Sequence, residues 1–155
     1  MSAMSSSGST EHLRRVARDC TAASLRRAAR SLSSVYDAHL AEVGLRGTQF
    51  SLLVAVSLMG EPPVTMLAEQ LGLDRTTMTR NLAPLLREGL LEDVATDDRR
   101  VHSVKLTAKG RRTVDRALPL WDQAQAEVVR ALGERRQREL VAVLDLVAAI
   151  GERTE

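Results

Sequence analysis

Apolar residues recur every three or four positions from residue 11 to about 43. Leu25, Ala28, Ala29, Leu32, Val35, Tyr36, His39, Leu40 and Val43 fall on one side of a helix. Arg26, Arg27, Arg30, Ser33, Ser34 and Asp37 fill the other side, and Gly44 ends it. Thr48 is the expected cap of a second helix, Gln49 to Met59, which is apolar nearly all round and so should be central. Gly60-Glu61-Pro62-Pro63 stops it.

Two shorter helices come next. Thr65 to Leu71 puts Leu67 and Leu71 on one face, with Ala68 small enough for close helix contact and Gly72 at the turn. Asp74 then caps a helix that runs to about Glu88, and Gly89 terminates it. Leu90 to Val94 and Val101 to Leu106 are short strand candidates around a polar turn. In the second, alternation puts His102, Val104 and Leu106 on one face and Val101, Ser103 and Lys105 on the other. Thr107 caps a long helix to about Leu132, which Pro119 should bend. Gly133 breaks it, and a last helix to Ile150 carries a stripe of Leu140, Val143, Leu144, Val147 and Ile150. The fold class is therefore mainly α with a small β-wing: a winged helix-turn-helix flanked by long terminal helices. Residues 1–10, rich in serine and without an apolar stretch, are expected to be a disordered tail and no secretory signal. Residues 48–106 form the winged unit. Residues 11–47 and 107–155 form a helical dimerisation region, because their apolar stripes need a partner and a second copy is the simplest one.

Composition narrows the function. The 155 residues carry a net charge of only +2, but the charge is unevenly spread. Residues 11–46 hold seven arginines against four acids, and residues 74–112 hold nine basic residues against six acids. The segments between and after them are net acidic. Local basic surface attracts phosphates more than the total does. Aromatics are limited to Tyr36, Phe50 and Trp121, too few for the stacking platforms of a single-strand binder. One cysteine excludes an internal disulfide, and His12, His39 and His102 are too scattered to suggest a metal site. No metalloprotease, phosphate-loop or hydrolase motif occurs, so neither catalysis nor a cofactor is expected. Apolar runs are too short to span a membrane, and a cytoplasmic location is expected.

The helix after Gly72 divides in two. Met78, Leu82, Leu85 and Leu86 form a stripe for packing, and Arg75, Thr76, Thr79 and Arg80 form the opposite face. A recognition helix needs that division, because one face must pack while the other offers donors to base edges in a major groove about 12 Å wide. Threonine is a mediocre helix former, so its repetition here calls for another use. Asp98, Arg99 and Arg100 lie at or near the hairpin tip, where an arginine can enter a minor groove and an aspartate can pair with its neighbour. Turn chemistry alone would also account for Asp97-Asp98.

The stretch VTMLAEQLGLDRTTMTRNLAPLLREGLLE, followed by DDRRVHSVKLTAKG, resembles the MarR family of winged helix-turn-helix regulators, and GLRGTQFSLL resembles that family's second helix. The resemblance covers about residues 11–150. It implies a homodimer joined by terminal helices that binds double-stranded, pseudo-palindromic operators. It also implies repression, relieved by a small phenolic or lipophilic ligand or by cysteine oxidation. The family's wing element maps onto Asp98 and Arg100, and its recognition-helix contacts map onto Arg75 to Arg80, Thr77 included. Two positions depart from the pattern. Asp93 stands where a basic residue is common, and Pro84 lies inside the recognition helix, where it strips the Arg80 carbonyl of its usual partner and should kink the chain.

Cys20 is the one candidate redox sensor, although its neighbours Arg18 and Asp19 do not mark it as activated, and a buried inert thiol is the expectation. Tyr36, His39, Phe50 and Trp121 are the candidate lining of an effector pocket for a small aromatic or lipophilic molecule. Plain core packing is the competing role for each. The competing function is a winged-helix protein-interaction module without specific DNA binding.

Overall fold

In the computed structural model, residues 5–95 and 101–152 are described. They form helices α1 (Ser5–Asp19), α2 (Thr21–Leu40), α3 (Gly47–Met59), α4 (Val64–Gln70) and α5 (Arg75–Arg87). Strands β1 (Leu91–Val94) and β2 (Ser103–Leu106) follow, then helices α6 (Ala108–Leu132) and α7 (Glu134–Glu152). The chain divides into two compact units, residues 1–34 and 35–155.

The first unit differs from expectation in two ways. Residues 5–10, expected in a disordered tail, are helical, since extending a formed helix avoids the cost of a new nucleus. The first long helix is also interrupted at Cys20 and has become α1 and α2. Backbone bonds persist there, with the Cys20 amide donating to the Val16 carbonyl and the Ser24 amide to the Cys20 carbonyl, each at 3.1 Å. Cys20 is half-buried rather than buried.

In the second unit the end of α2 belongs with the winged core. Leu40 and Leu45 are buried beside Phe50, Leu53, Leu67 and Met78, so burial decides the grouping. Helix α3 begins earlier than the Thr48 cap implied. The Gly47 amide donates to the Asp37 carboxylate at 2.7 Å and the Arg46 amide to the Gln49 side chain at 2.9 Å. Donors at the start of a helix need such acceptors, and a carboxylate on α2 supplies one from a distant position. As expected, α3 is central, with Phe50, Leu52, Leu53, Ala55 and Val56 buried.

The two strands pair antiparallel, with Leu91 opposite Leu106, Glu92 opposite Lys105, Asp93 opposite Val104 and Val94 opposite Ser103. Each strand is shorter than its sequence suggested. His102 lies just beyond β2 and is exposed, whereas Val104 and Leu106 are buried, so the face expected to hold all three holds only two. Ser103 is buried as well, because Pro63 pairs with it in an isolated antiparallel bridge. The Val64 amide donates to the His102 carbonyl at 2.8 Å and the Val104 amide to the Pro62 carbonyl at 3.2 Å. The segment that stops α3 thus also anchors the wing to the start of α4. A lone two-stranded hairpin is marginal in water, and this third strip of backbone supports it.

Candidate nucleic-acid interface

The helix-turn-helix is α4 and α5. Val64, Leu67 and Ala68 of α4 are buried, and Gly72 makes the turn with a left-handed backbone (φ 61°) that a side chain would strain. The Leu73 amide donates to the Ala68 carbonyl at 2.8 Å, closing the turn. Asp74 caps α5 as expected, accepting from the Thr77 amide at 2.9 Å and from the Thr77 hydroxyl at 2.6 Å. These two bonds, the hydroxyl's first, hold the Asp74 carboxyl below its ordinary pKa.

Met78, Leu82 and Leu85 of α5 are buried, and Arg75, Thr76, Thr79 and Arg80 are exposed. The structure therefore brings these four expected residues onto one open face. Thr77 stands apart: it is half-buried and its hydroxyl is committed to the cap. The Thr79 hydroxyl donates to the Arg75 carbonyl at 2.9 Å, leaving its methyl and its lone pairs for a ligand. Among the described residues no carboxylate lies within ion-pair distance of Arg75 or Arg80. From Arg75 to Arg87 the helix holds no acid at all. An exposed, unpaired arginine face is suited to phosphates and to the guanine edge. Helix α5 runs through Pro84 to Arg87. Asp98, Arg99 and Arg100 lie outside the described residues.

The wing carries a contact that sequence reading missed. His102 Nε2 lies 2.5 Å from Asp93 Oδ1, although both side chains are exposed. Asp93 sits opposite Val104, so the pair is diagonal across the hairpin. The unusual acid at position 93 is visible in the sequence; its partner is not, because alternation groups His102 with Val104 and Leu106 without fixing the cross-strand register. Lys105 lies 3.6 Å from both Glu61 and Glu92.

The residues expected to line an effector pocket lie in the core and along α2 and α6. Phe50 is 5% exposed and belongs to the core. Tyr36 donates its hydroxyl to Gln125 Oε1 at 2.5 Å, and burial raises its pKa. His39 Nε2 lies 2.9 Å from Glu127 Oε2. Both contacts tie the end of α2 to α6. Trp121, also on α6, is 37% exposed. A cleft of about 220 Å³ lies elsewhere, lined by Val56, Ser57, Gly60, Glu61, Lys105, Leu106 and Arg111. Among the described residues no group of three His, Cys, Asp or Glu could hold a metal ion, and no helix is long and apolar enough to cross a membrane.

A family model described as MarR family matches residues 43–100, the helix-turn-helix and the start of the wing. The crystal structure of the M. tuberculosis transcriptional regulator MosR in complex with DNA is 42% identical, with a TM-score of 0.74 over 84% of this chain and 97% of that one. The chain belongs to the MarR family. Its architecture is that family's winged-helix fold. A mutant E. coli MarR complexed with operator DNA superposes with a TM-score of 0.77 over 86% of this chain and 96% of that one, at 19% identity, which shows the MarR fold alone. The repressor CouR bound to p-coumaroyl-CoA is 27% identical, with a TM-score of 0.73 over 83% of this chain and 91% of that one. No curated protein sequence matches the chain. The MarR assignment makes this a transcriptional regulator.

Proposed function

We propose that the chain is a sequence-specific double-stranded DNA-binding regulator that acts as a homodimeric repressor. The observation that carries this reading is the face of α5 formed by Arg75, Thr76, Thr79 and Arg80, open to solvent on a helix held from behind by Met78, Leu82 and Leu85. The helix is as wide as a major groove admits, and its open face carries two arginines that suit phosphates and guanine edges. That the related MosR is solved with DNA supports the same use here. The dimer is supported by apolar side chains left in water on the second unit's last helices. Leu118 on α6 is 46% exposed, and Val141, Val143, Leu146 and Ile150 on α7 are 47–69% exposed. Such surface marks an interface, and a second copy gives two reading helices for the two halves of a pseudo-palindrome. Asp98, Arg99 and Arg100 are proposed as the wing's contribution.

Release by a small aromatic or lipophilic molecule is the regulatory part of the proposal. Its support is the related CouR, a repressor solved with p-coumaroyl-CoA. Tyr36, His39 and Trp121 remain accessible for such a molecule, while Phe50 serves the core. Cys20 is the candidate for release by oxidation.

Selection of duplexes from a random pool by the full-length protein tests the function. A selected duplex with two related half-sites, bound far more weakly as salt rises, is the expected result. A pool that never enriches would favour the protein-interaction module instead.

A further inference from the structure

The far end of the reading helix is bonded to the next helix. Three consecutive carbonyls at the close of α5 accept hydrogen bonds from the start of α6. Lys109 Nζ donates to the Glu88 carbonyl at 2.6 Å. The Thr107 hydroxyl donates to the Gly89 carbonyl at 2.7 Å, and the Thr107 amide to the Leu90 carbonyl at 3.1 Å. The same hydroxyl accepts from the Gly110 amide at 3.0 Å, so one side chain both holds the segment that follows α5 and caps α6. The last carbonyls of α5 itself are already taken, with Pro84, Leu85 and Leu86 accepting from the amides of Glu88, Leu90 and Gly89, so the bonds from α6 hold the three residues that follow the helix, where a lysine suits the negative end of its dipole. Gly110 permits the approach. A Cβ at that position would lie 2.0 Å from the Leu90 carbonyl oxygen and 2.9 Å from Leu106 Cδ2.

We propose that Thr107, Lys109 and Gly110 are positioning residues for sequence reading: they lock the angle between α5 and α6. This rests on the DNA-binding reading above. The joint acts through leverage. Helix α5 has 13 residues and so spans about 20 Å at about 1.5 Å per residue. A tilt of about 10° at its close would move its start by about 3 Å, as much as the whole length of a base hydrogen bond. Charge attraction to phosphates falls off slowly with distance and survives such a shift. A loosened joint should therefore erode discrimination between sequences before it erodes general affinity for DNA.

The test compares two duplexes by fluorescence anisotropy with the full-length protein: one selected by the wild type from a random pool, and a scrambled duplex of equal length. The readout is the ratio of the two affinities. Thr107→Val removes the hydroxyl and should lower the ratio about tenfold, the effect of one mismatched base pair, with scrambled-duplex affinity kept within about twofold. Thr107→Ser keeps the hydroxyl and should keep the wild-type ratio. Gly110→Ala should lower the ratio at least as far; should it fail to fold, the threonine pair decides. A Thr107→Val protein with the wild-type ratio, or one whose two affinities fall together, would overturn the inference. A wild type that selects no duplex would instead overturn the DNA-binding reading on which it rests.

Discussion

The Asp74 carboxylate accepts two hydrogen bonds from a single residue, the amide and the hydroxyl of Thr77, at 2.9 and 2.6 Å. This fastens the first turn of α5 at the end that carries Arg75 and Thr76. Asp74→Ala should lower the Tm by a few degrees at neutral pH. The carboxyl's pKa is lower in the folded chain than its ordinary value. Its contribution is then full above the ordinary carboxylate range and is lost as the pH falls through the folded value. The Tm gap between wild type and variant, followed by circular dichroism, should narrow on acidification. A gap that stays constant into strong acid would contradict the capping role.

Asp93 and His102 make a visible contact of small energetic weight. Their side chains are 65% and 55% exposed, and solvent screens such a pair to about 0–1 kcal/mol. Asp93→Ala and His102→Ala should each change the unfolding free energy by no more than about 1 kcal/mol, and the double variant should lose no more than either single one if the pair acts as a unit. Urea titration of the three variants checks this. Additive losses would mean that the two side chains act independently.

Pro84 sits inside α5 with the Arg80 carbonyl deprived of its helical donor. Its position past the exposed arginines and threonines places its effect in packing. Pro84→Ala should leave stability unchanged or raise it, by no more than the ~3 kcal/mol proline costs in a helix interior. Selective DNA binding should be retained. A folded Pro84→Ala protein that has lost operator recognition would show that the proline shapes the reading face itself.

Much of this was legible in the chain. The stripe of Met78, Leu82 and Leu85 predicted which face of α5 is buried, and Asp74 and Thr107 announced the two helix starts they cap. Local spacing governs such features, so a local reading finds them. What escaped depends on residues far apart in sequence. The start of α3 is set by Asp37 on α2, the inner face of β2 by Pro62 and Pro63, and the need for glycine at 110 by the carbonyl of Leu90. The break at Cys20 has no apparent signal in the residues around it. The candidate effector residues illustrate the same limit. Phe50 and Trp121 look alike in the sequence, and only packing shows that one is core and the other partly open.

On the proposed function, the open face of α5 reads base edges. The most direct test of this is the affinity of wild type and Arg80→Ala for a selected duplex and for versions with each base pair replaced in turn. If Arg80 reads a base, the variant should lose about 1–3 kcal/mol on the selected duplex and become indifferent to one base pair, keeping discrimination at the others. An equal loss on every sequence, or no loss at all, would contradict the assignment.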